Sequence, residues 1–237
     1  MSRTLLPAAT LWKREIVRFL RQRNRVMSAL VQPIFFWVLF GAGFGRSLRT
    51  DAMGGAENFY EFFFPGTVVM ILLFTAIFST VSVIQDRKEG FLQAVLAAPV
   101  TRAGIVLGKV GGGATLAFGQ GVLFLLLAPL VGIELTPLVF VQSLGVMALT
   151  AFALTALGLI VAWPMDSVQG FHAVMMLLLM PMWLLSGAFF PVGNADTWMS
   201  WVMRANPLTY GVAVLRGVLT RRLDDGGGDV GVGDALV

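Results

Sequence analysis

Few stretches of this 237-residue chain could do chemistry. Gly104-Ile-Val-Leu-Gly108-Lys109-Val110 looks like a phosphate-binding loop at first sight. It lacks one residue between the glycines, and Val110 stands where a Mg²⁺-binding Ser or Thr is needed. Gly41-Ala-Gly43-Phe-Gly45 is no dinucleotide fingerprint either, because it ends an apolar run instead of opening a helix after a strand. There is no cysteine, which excludes disulfides and thiolate metal sites. His172 is the single histidine, and Asp166 is the acid near it, too little for a metal centre. It reads as a structural histidine near one end of a span, with a functional role as the alternative. No nucleophile–base pair is evident, so a membrane enzyme is a weak reading. The richest polar stretch is QDRKEGFLQAVLAAPVTRAG, residues 85–104, where four charges in a row precede a short apolar segment and a proline.

That stretch interrupts a chain built for lipid. Charged residues make up 13% and hydrophobic ones 57%, with a mean hydropathy of +0.82, against about 25% charge in soluble domains. Five uncharged windows are long enough to cross a bilayer at roughly 20 residues each: Val26–Gly45, Phe62–Ile84, Val110–Ile133, Leu135–Met165 and Ser167–Ala195. They are read as helices because lipid leaves no partner for unpaired backbone groups. The fold expected is an all-α membrane bundle with five full spans, at about 26–45, 62–84, 110–133, 137–163 and 170–190, in a transmembrane domain over 26–195. Trp163-Pro164 closes the fourth span and Pro191 the fifth.

Seven Lys/Arg and one acid, Glu15, precede the first window, which places the N-terminus in the cytoplasm by the positive-inside rule. The segment after the second span carries Arg87, Lys88, Arg102 and Lys109 and falls on the same side. The basic charge could also suit a nucleic-acid partner, but so apolar a composition argues against one. Residues 1–25 form a cytoplasmic interfacial helix. Trp12, Ile16, Phe19 and Leu20 fall on one face and Arg14, Arg18, Arg21 and Arg25 opposite, a pattern for the headgroup layer of a lipid bilayer. A plain juxtamembrane anchor is the alternative.

In the opening stretch, Asp86 and Glu89 have capping-box spacing, so a helix of about three turns is expected to start near Arg87. Phe91, Leu92, Val95 and Leu96 share its apolar face, and Pro99 ends it. That face needs a partner: headgroups, the N-terminal helix, or a separate protein. Gly104, Gly108 and Gly112 recur every four residues and line one helical face, permitting close helix approach. No window holds Asp, Glu, Lys or Arg, which disfavours a carrier that binds protons at mid-membrane. An energy source outside the membrane fits better, and a channel would fit as well.

Three motifs in order carry a resemblance. Asp86-Arg87-Lys88-Glu89-Gly90-Phe91-Leu92 with Pro99-Val100-Thr101-Arg102 and Gly108-Lys109, then PMWLLSGAFFP over 181–191, then Asn206-Pro207-Leu208-Thr209-Tyr210 with Leu215-Arg216, together resemble the type-2 ATP-binding-cassette export permeases. That family includes daunorubicin-type drug-resistance permeases and nodulation-factor exporters, and the likeness covers about residues 10–220. The resemblance implies a permease subunit with no cofactor on this chain. ATP and Mg would sit on a separate ATP-binding-cassette ATPase, docked on Asp86, Arg87, Lys88, Glu89, Gly90, Phe91, Leu92, Pro99 and Arg102, a coupling helix between spans 2 and 3. It implies a second permease copy, a bacterial-type plasma (inner) membrane, and a drug, lipid-linked or polysaccharide-like cargo. The Met- and aromatic-rich fifth span would suit a greasy cargo, with ordinary packing as the alternative. Asn206, Pro207, Tyr210 and Arg216 match the family's outer motif, in short re-entrant helices over 196–222. A sixth span is expected after it. The chain instead ends in a Gly/Asp-rich segment, 223–237, that reads as a flexible tail. A truncated permease acting as a passive channel or scaffold is the alternative.

Overall fold

The computed structural model describes residues 2–44, 59–189 and 197–219. All regular elements among them are helical: α1 (Ser2–Arg21), α2 (Arg23–Phe44), α3 (Phe59–Ser79), α4 (Val81–Lys88), α5 (Phe91–Ala97), α6 (Arg102–Leu125), a 3₁₀ turn at Ala128–Val131, α7 (Pro137–Ala162), α8 (Val168–Trp183) with a π-type extension at Leu184–Ala188, α9 (Thr197–Ala205) and α10 (Pro207–Leu219). Three helical stretches are long and apolar enough to cross a membrane: Phe59–Lys88, Pro137–Ala162 and Val168–Ala188. In α2 the apolar described stretch is the shorter Pro33–Gly43. Most of the loop after the first expected span, the expected stop at Pro191 and the tail over 223–237 lie outside the described residues.

The chain divides into two sets of residues, to both of which α2, α3, α6, α7 and α8 contribute. The first comprises Met1–Leu30, Leu72–Gln120 and Ala148–Leu178. Its apolar centre is Leu11, Val83, Leu92, Ile105, Val110 and Leu159, with Phe91, Val95, Val100 and Ala156 packed against it. Glycine permits the close contacts. A Cβ on Gly108 would lie 2.7 Å from the Leu11 Cβ and 2.8 Å from the Ala8 carbonyl oxygen, and one on Gly112 would lie 2.7 Å from the Glu15 Cβ. Gly104 meets the Thr4 carbonyl in the same way, at 2.8 Å. The small-residue stripe of α6 therefore receives α1.

The second set comprises Val31–Ile71, Gly121–Met147 and Leu179–Val237. Its core is aromatic. Trp37 meets Tyr60, Phe64 and Phe124 edge-on at 5.6–5.9 Å. Phe63, Trp183 and Phe189 cluster at 4.8–6.1 Å. Edge-to-face aromatic pairs contribute about 0.5–1.5 kcal/mol each beyond burial.

Four sequence expectations are corrected. Asp86 does not start a helix: α4 runs through it to Lys88, and Gly90, at φ 76°, turns the chain with a left-handed residue before α5. The helix after it has 7 residues, two turns instead of three. The reason is that the Asp86 carboxylate is drawn to cations and leaves no acceptor for a cap. The helix at the expected third span, α6, runs from Arg102 to Leu125, well ahead of the expected 110–133. Thr101 caps it by accepting from the Gly104 N–H (3.1 Å), while Pro129 and a left-handed Gly132 shape the turn after it. Lys109 thus sits two turns inside a helix. The helix at the expected fifth span breaks at Leu184–Ala188, where Gly187 has φ 80°, three residues after Pro181 has removed a backbone donor. Finally, the buried stripe of α1 is Leu11, Glu15 and Phe19, while Trp12 and Leu20 are exposed. Arg14 and Arg18 turn inward instead of facing water.

Candidate functional site

The polar stretch folds around one carboxylate. Asp86, in the last turn of α4, is fully buried. Arg14 approaches it as a fork, Nη1 to Oδ2 at 2.8 Å and Nη2 to Oδ1 at 2.7 Å. Arg18 adds Nη1 to Oδ1 at 2.8 Å and reaches Gln85 Oε1 at 2.9 Å. The Lys109 ammonium, buried on α6, donates to Asp86, to Glu15 of α1, and at 3.4 Å to Ser82. Three helices far apart in sequence are therefore joined through charge. Burying charge is costly unless it is paired and hydrogen-bonded. Here three cations face two buried carboxylates, and Glu89 lies 3.4 Å from Arg18 as an exposed third acid. The Asp86 hydrogen bond holds the Arg14 guanidinium above its ordinary pKa. The Arg14 guanidinium also lies 3.8 Å over the Phe91 ring, which ties α5 to the same cluster.

Arg87 points elsewhere. Its guanidinium binds the carbonyls of Trp163 and Met165 (3.3 Å for the latter) and lies 3.3 Å from Asp166. It binds carbonyls of the turn that follows α7, where a cation also meets the negative pole of the helix dipole.

The expected coupling residues thus divide. Asp86 and Leu92 are buried inside the chain, and Arg87, Gly90 and Phe91 are half-buried. Lys88, Glu89, Pro99 and Arg102 are exposed, with Gln93, Ala94 and Ala97 beside them. Sequence reasoning missed Glu15 and Lys109, and it assigned Arg14 and Arg18 to the wrong surroundings. Two signals were present: Glu15 is the lone acid of the N-terminal segment and lies four residues from both Leu11 and Phe19, and Lys109 directly follows a glycine of the α6 stripe.

The motif over residues 206–216 forms a second constellation. Asn206 caps α10, its Oδ1 accepting from the Leu208 N–H at 3.0 Å, and its Nδ2 donates to the Met182 carbonyl. The Thr209 hydroxyl donates to the Met203 carbonyl at 2.6 Å and lies 3.4 Å from that of Leu185. Half-buried Arg216 donates to the Gly187 carbonyl at 3.0 Å and to that of Phe62 at 3.4 Å, and stacks 4.2 Å over the Phe62 ring. Tyr210 donates to the Arg204 carbonyl at 2.8 Å. Three motif side chains thus serve carbonyls in and just before the broken segment after α8, groups that lipid could not satisfy. His172 stacks on Phe78 at 5.1 Å and bonds the Val168 carbonyl through Nδ1 at 2.8 Å, a local helix contact. No group of three or more metal-ligating side chains occurs among the described residues.

The pattern that decides the family is the ABC-2 type transporter domain, which matches residues 8–220. The chain belongs to the ABC-2 type transporter family. It is similar to the putative transport permease ycf38 of Cyanophora paradoxa, with 27% identity over 207 residues, 86% of this chain and 71% of the relative. It is 29% identical to nodulation protein J of Sinorhizobium fredii over 207 residues, 86% of this chain and 76% of that one. The inner membrane transport permease YadH of Escherichia coli K12 is 25% identical over 211 residues, 87% of this chain and 80% of the relative. These relatives are named as transport permeases or as a nodulation protein, in keeping with a membrane permease of the ABC-2 family.

Proposed function

We propose that this chain is the permease subunit of an ATP-driven exporter and that a separate ATPase docks on the α4–α5 corner from the cytoplasm. Two copies pair around a pathway for a drug, lipid-linked or polysaccharide-like cargo, and ATP and Mg reside on the ATPase. The observation that supports this best is the Arg14–Arg18–Asp86–Lys109 cluster, with Asp86 and Lys109 buried at its centre. A docking surface that must transmit force has to be stiff. The exposed side chains of Lys88, Glu89, Gln93 and Pro99 stand on a corner whose underside is bound by charge to α1 and α6. Force applied at the corner would move α1, α4 and α6 together.

The test is co-purification. The tagged wild-type chain, extracted in mild detergent, is expected to bring down a nucleotide-binding subunit. Glu89→Lys combined with Gln93→Arg, both on exposed positions, is expected to lose that subunit while the permease inserts normally. Leu92→Asp is a poor probe because Leu92 is 3% exposed and belongs to the core. Retention of the ATPase by the double variant would move the contact elsewhere on the chain.

A further inference from the structure

A cleft of about 550 Å³ opens beside α6 and α7, within the range of cavities that hold small ligands. Its walls are Ile105 and Val106 of α6, Leu159 and Ile160 at the end of α7 and Trp163 just after it, and its single charged lining residue is Arg102. The apolar walls are open: Ile160 is 70% exposed, Val106 42% and Trp163 40%. Arg102 is exposed and has no ion pair or hydrogen bond from its side chain among the described residues. We propose that this cleft binds an anionic phospholipid, with one acyl chain along the apolar walls and its phosphate on Arg102.

Three observations select that occupant. The helix α7 is long and apolar enough to cross the membrane, so its last two turns, which form one wall, lie where hydrocarbon meets headgroup. A tryptophan at that level is the side chain that favours the interface. A cation at the end of an apolar wall complements an amphiphile whose negative charge sits next to its chain, and a guanidinium binds a phosphate through two parallel hydrogen bonds. Arg87, 5.8 Å from the Trp163 ring, is already bound to carbonyls of the turn that follows α7, which leaves Arg102 to take the headgroup. A polar protein loop would bring backbone groups against walls with no donor or acceptor to meet them.

The proposal rests on membrane insertion and not on ATP coupling. Because Arg102 also belongs to the stretch assigned to the ATPase, the test is made on the full-length permease with no ATPase present. Native mass spectrometry after exposure to equal amounts of dioleoylphosphatidylglycerol and dioleoylphosphatidylcholine reads the retained lipid. Wild type is expected to prefer the anionic lipid about fivefold, the worth of one basic residue near a membrane surface. Arg102→Gln should bring the two lipids to parity. Val106→Trp should fill the cleft from its exposed side and expel both, and Ile160→Trp should do so from the opposite wall if the first variant loses helix content. Equal retention of both lipids by wild type, or unchanged retention in both cleft-filling variants, would overturn the proposal.

Discussion

Replacing Asp86 by Asn removes the charge that holds α1 to α4 and α6 while keeping the shape. In the wild type, Asp86 receives two bonds from Arg14, one from Arg18 and one from Lys109. The variant leaves three cations facing one buried carboxylate, Glu15. Breaking a buried pair by deleting one partner costs about 3–5 kcal/mol. Arg14 and Arg18 are 29% and 24% exposed and regain some hydration on release, so the low end of that range applies. About 3 kcal/mol is roughly a hundredfold in the undocked population of α1, since ~1.4 kcal/mol is tenfold. Trypsin reads that population when reclosing outpaces cleavage. Lys13, Arg14, Arg18 and Arg21 stay available as sites in the variant. Cleavage within α1 of the detergent-solubilised chain should therefore accelerate by roughly a hundredfold. Arg14→Gln added to Asp86→Asn should cost less than the two separate effects together, because the second change removes a cation the first left unpaired. Cleavage of Asp86→Asn within about twofold of wild type would refute the claim that this carboxylate docks α1.

Other perturbations test the remaining contacts. Gly108→Ala places a methyl 2.7 Å from the Leu11 Cβ and 2.8 Å from the Ala8 carbonyl, and should lower stability by about 1–3 kcal/mol as an overpacked contact does. Gly119→Ala, with nothing within 4 Å of the new Cβ, should instead stabilise, by up to ~1 kcal/mol from helix propensity; thermal unfolding in detergent compares the two. Arg216→Met should leave the Gly187 and Phe62 carbonyls without this donor, at about 1–3 kcal/mol for a buried group deprived of its partner, visible as a lower melting temperature and faster hydrogen exchange around Leu184–Ala188. Arg87→Gln should loosen the end of α7 by about 1 kcal/mol, seen as faster exchange near Trp163 with α1 unaffected.

Much of the helical content was legible because an apolar run in lipid has one way to satisfy its backbone. Pro99 and Trp163-Pro164 marked ends that fall within a residue or two of the observed ones. The Gly104–Gly108–Gly112 stripe announced a close neighbour, yet nothing in its spacing said that the neighbour was α1. The charge cluster was hidden for a different reason. Lysine and arginine beside apolar runs were read as marks of sidedness, and that reading treats each charge as solvated. Lys109 and Asp86 are buried instead, paired across separations of 23 to 94 residues that periodicity does not reach. Asp86 read as a helix cap by its spacing to Glu89, and the three cations around it make it an ion-pair partner instead. The break after α8 left only weak traces, a proline, a serine and a glycine in an apolar run. The side chains that satisfy it come from residues 206–216, beyond the next connection.

The most direct test of the permease account is a crosslink from the proposed docking corner. A photoreactive amino acid at Gln93, exposed on α5, would be activated in intact membranes containing the native complex. The account predicts an adduct between this chain and a nucleotide-binding ATPase subunit, and its loss when Glu89→Lys is added. Adducts confined to lipid or to a second copy of this chain, with none to an ATPase, would contradict it.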